Sequence, residues 1–271
     1  MALAVRMVVV SLNTRGIPVI GSRLAERYAA IGRALDAGDA DVACLQEVLT
    51  WWHLTLLARR MSSFRHVSFR ASLAGPAGGL VTFSRLPVSG TAYHAFGIPP
   101  KAPRISGTAR LRAGLKGALV TRLAGPELSI VNAHPVANRD GDWSAAGRFY
   151  PLHRAQLTSL AHVVREVAGP MLVCGDFNVD RDSSLFSEFV TATGLADAFE
   201  GNCPATFRAE FLPAGATPRC IDFILIAAGI MAESATVVFT DKAPLPGGPA
   251  YVSDHVGLRA SLLSARSGMP R

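Results

Sequence analysis

Apolar positions along this chain fall into short, nearly continuous runs separated by polar turns, with fewer stretches of helical spacing. Met7 to Leu12 reads as a buried strand, and apolar residues recur at helical spacing from Ser22 to Leu35. Asp41 to Gln46 is again a strand and Trp51 to Met61 a helix. Strands then dominate: Phe64 to Phe69, Leu80 to Ser84, Gly90 to His94, Ala118 to Leu123 and Leu128 to Ala133. Pro151 to Val167 is a helix, Met171 to Cys174 a strand and Ser184 to Thr193 a short helix. Ile221 to Ile226, Ala235 to Phe239 and Gly257 to Leu262 close the series. Strand runs mixed with fewer helices predict an α+β fold of two packed sheets with helices outside. Pro/Gly-rich pieces at Gly75 to Gly79, Ile98 to Arg104 and Leu212 to Arg219 interrupt elements without a shift in composition. They read as loops of one domain spanning 1–271 rather than as linkers.

Composition adds a direction but no chemistry. The 271 residues carry a net charge of +7, with 49% hydrophobic and 17% charged residues, the make-up of a globular protein with a substantial core. The basic excess, mostly arginine, favours anionic partners: phosphate esters, nucleic acid or an acidic membrane surface. Four cysteines do not make a disulfide scaffold in a chain of this length. Cys44 and Cys174 sit in apolar strand runs and read as buried thiols, while Cys203 and Cys220 flank a loop at no zinc-knuckle spacing. The apolar stretch from Met1 to Leu12 is short, split by Arg6 and followed by no small-residue cleavage site, unlike a signal peptide. The longest later apolar run, Phe223 to Ala232, is far short of the roughly 20 residues that span a bilayer. A soluble, cytoplasmic protein is the expectation.

Chemistry enters with polar groups at the ends of the apolar runs. Gly175-Asp176-Phe177-Asn178 follows one strand, and Ser253-Asp254-His255 precedes the last one. Carboxylates, an amide and an imidazole are costly to bury idle, so their recurrence at strand ends suggests a hydrolytic site. Asn13 follows the first strand and Glu47 follows Gln46 at the end of the second. An amide oxygen and a carboxylate suit a hard divalent cation such as Mg²⁺ or Mn²⁺, whose shell water and substrate phosphate complete. Asp254 is placed to bind the metal or its water. His255 is the natural general base, with Asp222 as the carboxylate that orients it. Asp176 and Asn178 alternate with Phe177, so they share a face and could hold the attacking water and a phosphoryl oxygen. His134, after Leu128 to Ala133, would stabilise the transition state or protonate the leaving oxygen. His53, His66, His94, His153 and His162 read as solvated or helix-face residues, and Trp51-Trp52 as packing.

Together these residues resemble the endonuclease/exonuclease/phosphatase superfamily, from Leu12-Asn13 through Leu45-Gln46-Glu47, Asn132-Ala133-His134, Gly175 to Asn178 and Ile221-Asp222-Phe223 to Ser253-Asp254-His255. The resemblance implies a four-layer α/β/β/α sandwich, Mg²⁺ dependence and phosphoester hydrolysis. It also implies metal at Asn13 and Glu47, a His255–Asp222 base pair, and Asp176, Asn178 and His134 around the phosphoryl group. Within that superfamily the chain looks most like neutral sphingomyelinases. Asn13 to Pro18 resembles their Asn-x-x-Gly-Ile-Pro opening, and Gly78 to Pro87 their Gly-x-Gly-Leu-x-x-Phe-Ser-(basic)-x-Pro strand. Gly194 to Phe199 resembles a stretch that follows their Gly-Asp-x-Asn, and Lys116 resembles a strand lysine that would bind phosphate. The long aromatic hairpin with which secreted bacterial members enter membranes has no counterpart in the sequence. The implied substrate is a phosphodiester with a lipid head group, reached through peripheral membrane contact. Nucleic acid hydrolysis, a small phosphate ester and a non-catalytic phosphate-binding module are the alternatives.

Overall fold

The computed structural model describes residues 5–17, 22–98, 105–125 and 127–264. Residues 1–4 of the first apolar stretch, Pro18 of the opening motif and residues 99–104 of the second Pro/Gly-rich piece lie outside them. The strands are β1 (Val5–Asn13), β2 (Val42–Gln46), β3 (His66–Ser68), β4 (Val81–Ser84), β5 (Val88–Ala95) and β6 (Gly117–Leu123). They continue with β7 (Ser129–His134), β8 (Met171–Asp176), β9 (Ala196–Asp197), β10 (Asp222–Ile226), β11 (Ile230–Val238) and β12 (Gly257–Ser264). Helices are α1 (Leu24–Ala37), α2 (Trp51–Ala58), α3 (Gly107–Gly114), α4 (Tyr150–Glu166) and α5 (Ser184–Thr193).

Two six-stranded sheets form, in the orders β11-β12-β1-β2-β4-β3 and β5-β6-β7-β8-β10-β9. Each is antiparallel except for one central parallel pair, β1/β2 in the first and β7/β8 in the second. Parallel neighbours need a crossover, and α1 and α4 supply one each. The layer order follows from the alternation of side chains along each strand. In β1, Met7 and Val9 enter a core shared with Ile130, Leu172, Cys174 and Ile224 of the other sheet. Val8, Val10 and Leu12 face the opposite way, against Tyr28, Ile31 and Leu35 of α1 and Leu57 of α2. In β8 and β10, Val173, Phe223 and Leu225 turn from the inter-sheet core towards Leu160 and Val164 of α4 and Phe189 of α5. Strands buried on both faces read as unbroken apolar runs, which is why the sequence shows little alternation. The expected four-layer α/β/β/α sandwich is the observed one. Cys44 and Cys174 are buried thiols of the inter-sheet core.

The sequence reading departs from the structure at several places. No element was expected in residues 107–114, where Ser106 caps α3 by accepting the Ala109 N–H at 3.2 Å. A short, arginine-bearing segment between glycines offers no apolar period. β8 runs on through Asp176, and β11 begins at Ile230, five residues before the expected strand start at Ala235. His53 and His153 lie on helix faces but are buried rather than solvated. Trp51 packs edge-on against Phe69 while 40% exposed, and Trp52 is 54% exposed.

His153 ties α4 to the segment behind the site: its Nε2 donates to Val136 O at 2.7 Å, two residues beyond His134. Burial pushes the imidazole pKa down to about 4, from an ordinary 6.5, although the Val136 carbonyl and Asp176 act the other way. The unfolded chain therefore takes up a proton that the folded one refuses, and stability falls as pH drops from about 6.5 towards 4. Between about pH 7 and pH 5 this group should remove roughly 2 kcal/mol. Urea titrations at the two pH values should show a flatter pH dependence for His153→Gln than for the wild type. Parallel slopes in the two proteins would contradict the assignment.

Candidate active site

The two parallel pairs deliver their C-terminal ends to the same edge of the sandwich. Asn13 and Gln46 stand opposite each other at the ends of β1 and β2, with Glu47 next. Gly117 stands opposite His134 at the end of β7, which brings Lys116 beside that histidine, and Asp222 stands opposite Asp176 between β10 and β8.

Local backbone geometry fixes these groups. Glu47 adopts a left-handed φ of 61°. Its carbonyl accepts from Tyr28 OH at 3.0 Å and its Oε2 from the Gly16 N–H at 2.9 Å. A Cβ on Gly16 would lie 1.7 Å from Glu47 O, so only glycine lets the loop after Asn13 close this tightly. Gly175 is equally constrained: φ is 137°, and an added Cβ would meet Ala133 O at 2.0 Å. Phe177 is buried against Phe189 and Phe223 and pins the turn from the core side. Burial of such a ring contributes on the order of 2–3 kcal/mol. Phe177 packs inward, as expected.

Asp176 is the hub. Its Oδ2 accepts from Asn13 Nδ2 at 2.9 Å, a bond that joins the two sheets across the cleft. The same oxygen lies 3.5 Å from His134 Nε2 and 3.7 Å from His255 Nε2. Its Oδ1 accepts the Asn178 N–H at 2.9 Å, and Asn178 Nδ2 donates to Pro135 O at 3.2 Å. His255 Nδ1 meets Asp222 Oδ2 at 2.8 Å, both groups being buried. Lys116 Nζ sits 3.0 Å from His134 Nδ1. Asp254 faces Arg15, whose Nε is 3.5 Å from Oδ2. These residues thus lie together at one edge of the sandwich. Gln46, expected in the same constellation, instead donates from Nε2 to Asn132 Oδ1 at 2.8 Å and stitches the sheets together behind it.

Charge is distributed unevenly here. Burial alone would lower the His255 pKa, but Asp222, Asp176 and Asp254 outweigh it and push it up to about 10. Burial would raise Asp176, yet His255, His134 and the Asn13 amide hold it well below the carboxylate range. Burial raises Asp222, against the pull of His255, and also raises Asp254, beside which Glu47 adds a like charge. Burial lowers the Lys116 ammonium despite Glu47 and Asp176. Glu47, Asp176, Asp222 and Asp254 therefore gather at one edge of the sandwich, a carboxylate cluster of the kind a divalent ion offsets. Among the described residues, Asp176, Asp222 and His255 also hold donor atoms within 4.8 Å of one another, close enough to share an ion.

Several supporting residues carry no sequence motif. Thr206 Oγ1 accepts the N–H groups of Ile221 and Asp222 at 3.0 and 3.1 Å, fixing the start of β10. The Phe207 ring stands edge-on to His255 at 5.0 Å, and Arg208 Nε donates to Ser253 O at 3.1 Å. Arg27 is buried and spans Thr14 O, Arg15 O and Val252 O, binding the loops after Asn13 and before Asp254 together. A buried arginine on an apolar helix face was the one available signal.

The Endonuclease/Exonuclease/phosphatase family matches residues 10–255, and the chain belongs to that family. Sphingomyelin phosphodiesterase 2 of Homo sapiens is 27% identical over 207 residues, covering 72% of this chain. The chain spans a little under half, 46%, of that relative's length. Among solved structures, sphingomyelinase C from Streptomyces griseocarneus superposes with a TM-score of 0.71 at 18% identity, covering 94% of this chain and 99% of that one. D. rerio TDP2 complexed with a single strand DNA product gives 0.70 at 17% identity, covering 95% and 98%. These two likenesses establish the fold.

Proposed function

We propose that this family member, a phosphoric ester hydrolase, is a Mg²⁺-dependent phosphodiesterase that cleaves a lipid phosphodiester in the manner of a phospholipase C. One observation carries the reading. The Asn13–Asp176 hydrogen bond joins the oxygen-bearing ends of β1 and β2 to the Asp222–His255–Asp176 relay, so ion-binding and proton-transfer groups face one substrate. The whole chain acts as one catalytic domain in this account, and a cytoplasmic site of action suits its free thiols.

Asn13 Oδ1, Glu47 and Asp254 are hard oxygen donors and would hold Mg²⁺, or Mn²⁺ in its place. When bound there, the ion supplies positive charge that offsets the phosphate and the carboxylates, and so lets His255 release its proton near neutrality. Asp176 and His255 are assigned to proton transfer rather than to ligation, because Asp176 Oδ2 accepts from an amide and His255 Nδ1 is engaged by Asp222. That engagement leaves Nε2 to take the proton of a water attacking phosphorus. Asp176 and Asn178 position this water and a non-bridging oxygen. The bond from phosphorus to the lipid oxygen breaks, the departing oxygen takes a proton from His134 and leaves as an alcohol, and Lys116 stands against the developing charge.

Purified protein should release a phosphorylated head group from micellar sphingomyelin or lysophospholipid faster than it nicks supercoiled or single-stranded DNA. Lys116→Ala should lower lipid turnover by about 10², the scale of one lost transition-state donor, while leaving Mg²⁺ affinity unchanged. Efficient DNA cleavage without lipid turnover would move the protein to the nucleases, and turnover of soluble monoesters alone would make it a phosphatase.

A further inference from the structure

We propose that α3 is a docking element that seats the mouth of the site on an anionic lipid surface. The helix has two apolar sides. On one, Ala113 is buried with Val136, Phe149 and Leu152, and Gln156 Nε2 donates to Ala113 O at 2.9 Å, so the helix is anchored to the body. On the other, Leu111 and Leu115 lie four residues apart, one turn along the same face. They are 60% and 66% exposed. Gly114 sits between them, and a Cβ there would lie 2.7 Å from Ile98 Cγ1, so Ile98 rests on the helix at that point. It too is exposed, at 61%. Three aliphatic side chains therefore make one patch on a fixed helix, where single exposed leucines would call for no explanation.

Position and charge select the partner. The residue after Leu115 is Lys116, whose ammonium is 3.0 Å from His134 in the cleft. Whatever covers the patch is brought to the site's edge. Arg112 is exposed in the last turn of the helix, and the chain carries a net charge of +7. Aliphatic anchors flanked by a cation fit the boundary between head groups and acyl chains. They do not fit single-stranded nucleic acid, whose bases stack on aromatic rings.

The inference rests on the reading of lipid as substrate, and its test is a binding measurement that needs no turnover. The probes are vesicles of phosphatidylcholine with phosphatidylserine, and of phosphatidylcholine alone. In the inactive His255→Ala background, adding Leu111→Ser and Leu115→Ser should weaken sedimentation with the mixed vesicles by roughly tenfold or more, the scale of two half-buried leucines. Arg112→Glu should weaken it on the mixed vesicles and change little on the neutral ones. With His255 intact, the double serine variant should melt like the wild type and hydrolyse soluble bis(p-nitrophenyl) phosphate at the wild-type rate. Unchanged sedimentation of the serine variant overturns the docking role and leaves the substrate reading standing. Loss of sedimentation in a protein whose parent hydrolyses no lipid upholds docking and overturns the substrate reading. A serine variant that sediments normally but elutes at a smaller mass would assign the patch to contact between copies, against the proposal.

Discussion

His255→Ala is expected to yield a folded protein whose diester turnover is lower by about 10²–10⁴, the contribution of a positioned general base. The expectation follows from the geometry of the imidazole, not from its presence alone. Asp222 Oδ2 engages Nδ1 at 2.8 Å, the Ser253 hydroxyl accepts the His255 N–H at 3.1 Å, and Phe207 packs against the ring. The ring therefore has one orientation, with Nε2 towards the cleft. Asp222→Asn keeps a hydrogen-bonding group of the same shape and should lower the rate by a smaller factor, through a misdirected imidazole. Both substitutions change the balance of buried charge. Alanine at 255 leaves Asp222 buried without its partner, so His255→Asn, which restores a donor near Nδ1, is the control for folding. Melting curves and Mg²⁺ titrations of all three variants separate loss of structure from loss of chemistry. Wild-type turnover by His255→Ala and Asp222→Asn would reassign the base.

Much of this arrangement was legible in the sequence because burial makes the relevant residues conspicuous. A carboxylate such as Asp222 at the head of the all-apolar Phe223 to Ile226 is conspicuous, and so is a histidine closing the fully buried strand Ser129–His134. Two sheets with helices outside followed from strand runs without alternation and from α1 and α4, whose apolar residues keep helical spacing. What could not be read depends on distance along the chain. Thr206 aligns the start of β10 from 16 residues away, and Arg27 gathers two loops, one of them reaching Val252, 225 residues from the arginine. Thr206 leaves no local pattern, and Arg27 leaves only that of an arginine among the apolar positions of α1. α3 escaped for the opposite reason: its single buried residue, Ala113, gives no period, and its leucines face outward. The burial of His53 and His153 was not legible because their partners, the Leu49 N–H and the Val136 carbonyl, are backbone groups that no sequence motif announces.

Glu47→Gln is expected to lower turnover by about two orders of magnitude or more and to abolish saturable Mg²⁺ binding measured by calorimetry in the absence of substrate. The substitution is nearly isosteric. A glutamine oxygen can still accept the Gly16 N–H, and the left-handed backbone at this position is held by Tyr28 OH on the Glu47 carbonyl rather than by the side chain. The fold should therefore persist, and what disappears is one negative charge. That charge matters because the neighbouring oxygen donor, Asn13 Oδ1, is neutral and already accepts the Arg15 N–H at 2.9 Å, while Asp254 is partly offset by Arg15. An amide in place of the carboxylate leaves too little charge to draw Mg²⁺ out of water, since that ion gives up its hydration shell reluctantly. Excess chelator should silence the wild type in the same way, and added Mg²⁺ or Mn²⁺ should restore it. Full activity in chelator would remove the ion from the reaction altogether. An inactive Glu47→Gln that still binds Mg²⁺ with wild-type affinity would move the ion to the Asp176, Asp222 and His255 donors, and with it the proton-transfer roles assigned to them.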